Sequence, residues 1–285
     1  MRSSKSYPVN ATIKLSDPAT RQFWEIPVLF EDAHLLAVDK PVGLMVSPDP
    51  SAPERPSLMQ MLHRGIARGA PWAAERQLSY LANTHRLDPE ISGLLLLAKT
   101  KPVLVAIADQ FGIEKPSKSF VALISGSPAG DFQVDAKIGR EPLQSGVLRL
   151  DARDGRKART RFQVLERFTG YALLRCQPLT GQPHQIRVHL KSRGMPVLGD
   201  SLYGGPPLLL SVLKPDYRLK PNRTERPLIS TPALHLEELN LSHPTNGAPL
   251  AIRAPWPKDL TVAVKYLRRY ASGIVETPVL DGLPD

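Results

Sequence analysis

Asp88 stands in the string His85-Arg86-Leu87-Asp88-Pro89-Glu90-Ile91-Ser92-Gly93, directly before the apolar run Leu94-Leu95-Leu96-Leu97. A reactive carboxylate needs a fixed position, a cation that keeps it ionised, and limited access of water. The buried strand predicted by the leucines supplies rigidity, the proline a turn, and a nearby arginine charge. On these residues alone Arg86 need not face Asp88, and an arbitrary Arg-Leu-Asp triplet more often caps a turn with a surface ion pair. A second block, Leu179-Thr180-Gly181-Gln182-Pro183-His184-Gln185-Ile186-Arg187-Val188-His189-Leu190, runs from a glycine turn into a helix-like segment with polar side chains near its start. Such a terminus can receive phosphate through free backbone N–H groups. The plainer alternative is an amphipathic helix with Ile186 and Leu190 inward. His184 and His189 do not share a helix face well, so they do not read as a metal pair.

The elements around these blocks follow from pattern. Residues 1–23 have no clear period and read as an N-terminal arm or a short edge strand. Strands are predicted at 26–30 and 34–38, the second ended by Lys40-Pro41-Val42-Gly43, since proline cannot extend a ladder. The proline-rich segment 48–56 is a loop. Ser57 then caps a helix with Leu58, Met61 and Leu62 on one face and Gly69 as its stop. After the 94–97 strand, Pro102 opens a helix that Gly112 ends. Strands follow at 120–124, 160–165 and 171–176, and a helix at 188–193. Residues 205–229, rich in proline and basic residues, read as a surface loop or insertion, and 272–285 as a tail. Strands and helices interleave without a βαβ rhythm, which predicts an α+β fold with a mixed, largely antiparallel central sheet and flanking helices.

The bulk properties narrow the classes. At 285 residues the chain can bury a substantial core as one large domain or two small ones. Lys and Arg outnumber Asp and Glu 37 to 27, a net charge of +10 that favours a polyanionic partner. The lone Cys176 excludes an internal disulfide and a cysteine-rich zinc site, and suits a reducing compartment. No apolar stretch approaches the roughly 20 residues that span a bilayer, and the N-terminus lacks the apolar region of a secretory signal. The expectation is a cytoplasmic protein with no membrane partner.

The two blocks, with Asp39-Lys40-Pro41-Val42-Gly43-Leu44 upstream and Pro196-Val197-Leu198-Gly199-Asp200-Ser201-Leu202-Tyr203-Gly204 and Ala233-Leu234-His235 downstream, resemble the RluA-type RNA pseudouridine synthases. The resemblance runs in the family's order over residues 26 to 260. It implies one pseudouridine synthase domain, 24–271, with a central RNA-binding cleft across the sheet. It also implies an isomerase that converts specific uridines of ribosomal or transfer RNA. No redox step or external energy is needed, so no cofactor and no metal are implied, and a monomer is the simple expectation. Asp88 would attack the ribose or take a proton from it, and Arg187 would pair with Asp88. The nucleotide must be flipped from its stack to be reached. His85, Arg86, Phe120, Gln182, His184 and Gln185 are the further substrate-binding candidates. About 25 residues precede the first matched strand, too few for the separate N-terminal RNA-binding domain that many relatives carry; target choice is then expected to rest on the catalytic domain.

Three positions depart from the family's pattern. Phe120 stands where tyrosine is usual; it can stack on uracil but has no hydroxyl to move the carbon 5 proton. Gln182 replaces the usual arginine, and Ile91 a common threonine. Phe120 motivates a rival reading, an RNA-binding or RNA-remodelling protein with impaired chemistry; the intact Asp88 and Arg187 argue against it. A hydrolase finds no Ser-His elbow or metal-ligand cluster. Arg149, Arg153, Arg156, Lys157, Arg159 and Arg161 gather around one predicted hairpin, which is expected to grip RNA backbone.

Overall fold

The computed structural model describes residues 11–112, 116–219 and 223–272. From the N-terminal side come β1 (Thr12–Asp17), β2 (Gln22–Glu31), β3 (Leu35–Lys40), α1 (Leu58–Ala67), α2 (Pro71–Glu75), β4 (Ala82–Asn83) and β5 (Ser92–Ala98). Next are α3 (Lys101–Gly112), β6 (Ser117–Ser125), β7 (Phe132–Arg140), β8 (Leu148–Leu150), β9 (Arg156–Phe168) and β10 (Tyr171–Pro178). The remainder holds α4 (Gln185–Ser192), α5 (Leu210–Leu213), β11 (Leu234–Ser242), β12 (Pro249–Arg253) and α6 (Lys258–Tyr270).

The strands join in the order β1-β2-β3-β5-β11-β6-β10-β9-β7-β8, with β4 also on β5 and β12 on β11. Among the described residues β5 and β11 are the only parallel neighbours. The fold is therefore α+β with a mixed, largely antiparallel sheet and flanking helices. Every residue of β5 is buried. A strand covered on both faces needs no apolar–polar alternation, which explains four consecutive leucines. At the sheet edge, β1 alternates strictly between exposed and buried residues, as a strand with one wet face does.

Helix signals act as their chemistry dictates. Ser57 Oγ accepts from the Gln60 N–H at the start of α1, and Gly69 turns the chain at φ 63° after its end. In α6, Leu260, Ala263, Val264 and Leu267 are buried at the i, i+3, i+4, i+7 spacing of one helix face. Of the two readings of 1–23, the edge strand is the one formed: from residue 11 it makes β1 at the sheet edge and the start of β2, and residues 1–10 lie outside the described residues. Likewise 205–229 is anchored, with Leu208 and Ile229 buried and bridged and Leu213 of α5 buried between them. Of the tail, only Ser272 falls within the described residues. Among the described residues no helix is long and apolar enough to cross a membrane.

Candidate active site

The loop that carries Asp88 is fastened at both ends. Behind it, Gly93 lies opposite Leu236 where β5 and β11 run parallel, at φ 118°. A Cβ at Gly93 would lie 2.6 Å from the Leu236 nitrogen, so only glycine lets the two backbones meet. One residue earlier, Ser92 Oγ and His235 Nδ1 are 2.9 Å apart. In front, the Pro89 carbonyl accepts from the Gly43 N–H at 2.8 Å and from the Lys40 ammonium at 3.2 Å. Lys40 is fully buried and donates its other two hydrogens to the Pro41 and Leu44 carbonyls. An ammonium has three N–H groups, and here each has a carbonyl. Burial lowers its pKa to about 8 against the opposing pull of Asp88, Glu90 and Asp39.

Arg187 reaches Asp88 from α4. The guanidinium is first held by Asp200, with Nε to Oδ2 at 2.7 Å and Nη2 to Oδ1 at 2.8 Å, a bidentate pair with both side chains buried. Nη1 is left to donate to Asp88 Oδ2 at 3.2 Å, with Glu90 Oε2 3.7 Å away. Burial works to lower the Arg187 pKa; the hydrogen bonds and charge of Asp200, then Asp88 and Glu90, outweigh it and raise it. The arginine is thus a fixed positive charge. Asp88 is about a quarter exposed, and His184 Nε2 lies 3.8 Å from the same oxygen, Oδ2. Among the described residues Oδ1 has no protein partner. A carboxylate clasped through one oxygen, with the other open, can act as a nucleophile or a base.

The sequence candidates divide. Asp88, Arg187 and His184 come together. Arg86, exposed, projects from the same loop. His85 does not join them: it is turned into the core, its Nε2 accepting from the Leu96 N–H at 3.2 Å, with Phe111 beside it. Burial, then Lys118, holds its pKa well below the usual histidine value. Its part is to pack the loop. Gln185 is likewise a brace, because its amide is fully used: Oε1 accepts from Thr180 Oγ1 and the Gln182 N–H, and Nε2 donates to the Arg159 carbonyl and Thr160 Oγ1. Gln182 sits on the rim with Nε2 on the Lys157 carbonyl. Phe120 lies in register with Leu236 and Cys176 and is 8% exposed, packed in the main core. Ile91 is buried there too. His189 has Nδ1 2.9 Å from Thr160 Oγ1.

Lys40, Asp200 and Tyr203 stand in the blocks that carry the resemblance, yet the sequence assigns none of them a role. Tyr203 Oη accepts from the Leu148 N–H at 3.1 Å and lies 2.7 Å from His184 Nδ1. Its ring sits under the Arg187 guanidinium, 4.9 Å away. The signal that could have found Asp200 is chemical: a buried arginine demands a carboxylate, and Asp200 follows the glycine turn at Gly199.

The basic hairpin is split by the sheet. Thr160 faces α4, so its neighbours Arg159 and Arg161 face the opposite side, with Arg159 paired to Asp135 at 2.8 Å. By register and alternation Lys157 and Arg149 share that far side. Arg156 and Arg140 fall on the side of α4, both exposed.

Comparison with known proteins agrees with this geometry. Residues 34–192 match the family model described as RNA pseudouridylate synthase. The chain is 34% identical over 257 residues to the ribosomal large subunit pseudouridine synthase D of Nitrosomonas europaea, covering 89% of this chain and 69% of that protein. It is 31% identical over 277 residues to the enzyme of the same name from Xanthomonas campestris, covering 97% and 80%. Among solved structures, human RNA pseudouridylate synthase domain containing 4 superposes with a TM-score of 0.62 at 23% identity, over 85% of this chain and 92% of that one. By the family match and these identities, the chain belongs to the RNA pseudouridylate synthase family.

Proposed function

We propose that this isomerase converts uridines of large-subunit ribosomal RNA to pseudouridine, with Asp88 as the reacting group. The observation that carries this reading is the setting of Asp88: Arg187 pairs with its Oδ2, Asp200 fixes Arg187, and Oδ1 has no hydrogen bond or ion pair among the described residues. The reaction breaks the bond from ribose C1′ to uracil N1 and forms one from C1′ to carbon 5. It moves a proton off carbon 5 and one onto N1, so no electrons are gained or lost. Asp88 Oδ1 serves it either as nucleophile at the ribose or as base toward it, and both routes need a carboxylate held ionised beside a fixed cation. The target nucleotide is flipped out to meet it. The names of the curated relatives favour ribosomal over transfer RNA. One catalytic domain spanning 24–271, acting as a monomer in the cytoplasm, completes the reading.

Tritium release from ribosomal RNA labelled at uracil carbon 5 tests it. The native protein is expected to release tritium and Asp88→Asn to release none. RNA binding without release by the native protein would favour the rival that Phe120 motivates, an RNA-binding protein without efficient chemistry.

A further inference from the structure

The second group on Asp88 Oδ2 is a histidine whose tautomer is fixed by its surroundings. Tyr203 is buried, and its hydroxyl has one hydrogen to give. The Leu148 N–H already points at its oxygen, since a backbone N–H can only donate. Among the described residues the remaining partner of that hydroxyl is His184 Nδ1, at 2.7 Å. Were Nδ1 to carry the proton, two donors would converge on the hydroxyl oxygen and its own hydrogen would be left buried without an acceptor. The hydroxyl therefore donates to Nδ1, and a neutral His184 carries its hydrogen on Nε2, the nitrogen 3.8 Å from Asp88 Oδ2. Burial, aided by Arg187, lowers the His184 pKa against the pull of Asp88, Glu90 and Asp200, which favours the neutral ring.

The backbone at His184 carries strain of its own. His184 caps α4 in the left-handed region, φ 51° and ψ 14°, a conformation that costs a non-glycine residue and is taken most readily by asparagine, aspartate and histidine. Among the described residues its side chain has no partners beyond Tyr203 and the Asp88 group. We propose that His184 is a positioning residue for Asp88: its Nε2–H, aimed by Tyr203, stands 3.8 Å from Oδ2, just outside hydrogen-bond reach, and closes onto that oxygen beside Arg187 when the nucleotide enters, so that Oδ1 is the oxygen presented to the ribose. This rests on the reading of Asp88 as the reacting group.

Two substitutions separate this role from mere packing. In Gln the amide nitrogen reaches the place of Nε2; in Asn it reaches only the place of Nδ1. The left-handed backbone favours Asn, so stability and activity are expected to rank the variants oppositely. In tritium release, His184→Gln is expected to keep kcat within about threefold of native, and His184→Asn to lose about tenfold in kcat with KM little changed, as for a lost hydrogen bond to a charged group. Thermal melting is expected to place His184→Asn at or above His184→Gln. Equal kcat for the two variants, or a kcat ranking that follows the melting order, overturns the proposal. The imidazole ¹⁵N spectrum of the native protein gives a second readout: the His184 signals, assigned by their loss in His184→Asn, are expected to show a bare Nδ1 and a protonated Nε2. The reverse pattern overturns it. A native protein that releases no tritium removes the reading of Asp88 instead, and the nitrogen spectrum still decides the tautomer.

Discussion

Arg187 is bound to Asp200 through two hydrogen bonds, at 2.7 and 2.8 Å, and both side chains are buried. That pairing holds the guanidinium still, so that its third nitrogen meets Asp88 at 3.2 Å in a set direction. Removing the buried partner strands a charge. Asp200→Ala is expected to cost about 3–5 kcal/mol in urea unfolding. Asp200→Asn, which keeps the shape but halves the grip, is expected to fold and to lower kcat more than it raises KM. A full-rate Asp200→Asn would show that Arg187 needs no such anchor.

Lys40 is expected to give the activity an alkaline limb. Its ammonium is present below about 8 and lost above it. A neutral amine has two N–H groups for three carbonyls and withdraws a positive charge from beside the Asp88 loop. Turnover is expected to fall as pH rises through about 8. Folding stability moves the other way, since the unfolded chain keeps this proton up to its ordinary 10.5 and so binds more protons between about 8 and 10.5. Lys40→Met is expected to be less active throughout and to lack the limb. Its persistence in that variant would assign the limb to another group.

The two sides of the basic hairpin are expected to differ in their hold on RNA. Arg140 and Arg156 lie on the side of α4, whereas Arg159 and Arg161 face away. Reversing the first pair to glutamate should weaken RNA binding and reduce the slope of log affinity against log salt by about one for each phosphate no longer neutralised. The same change at Arg159 and Arg161 should leave the slope nearly unchanged. Equal effects from both pairs would mean that RNA wraps the sheet edge.

Gly93 tolerates no side chain. Its φ of 118° and the Leu236 backbone that a Cβ would strike combine backbone strain with overpacking. Gly93→Ala is expected to lower stability by about 3 kcal/mol or more and to reduce tritium release even in the fraction that stays folded. Native-like melting and turnover would refute the close approach of β5 and β11.

The fold is legible where period and punctuation agree. The four leucines of β5, the Ser57 cap and the glycine stop after α1 each follow from one local rule. β7 escapes such a rule because FQVDAKIGR buries only Val134 and Ile138 firmly, too weak an alternation to read. The face of α6 is written plainly in Leu260, Ala263, Val264 and Leu267, but it lies at the end of the motif blocks and outside them, and the expected elements omit it. At the site, Asp88 and Arg187 came from motif resemblance, and their meeting depends on a hydrogen bond 99 residues apart that no local pattern encodes. His85 and Gln185 misled because a polar residue inside a motif looks the same in sequence whether it faces the substrate or the core. Only their hydrogen-bond partners distinguish the two.

The placing of β11 between β5 and β6 has a consequence for biosynthesis. Ser92 meets His235 across 143 positions of chain, so the support beneath Asp88 is completed only after that whole span has been synthesised. Until residues 234–242 arrive, β6 presents a bare edge of unpaired backbone groups, the kind that invites pairing with another molecule, and β5 lacks its pairing at Ser92 and Gly93. Loop closure over that span also slows assembly relative to local pairing. A nascent chain is therefore expected to acquire its catalytic geometry in one late step, and a chain arrested before β11 to be both inactive and prone to aggregate.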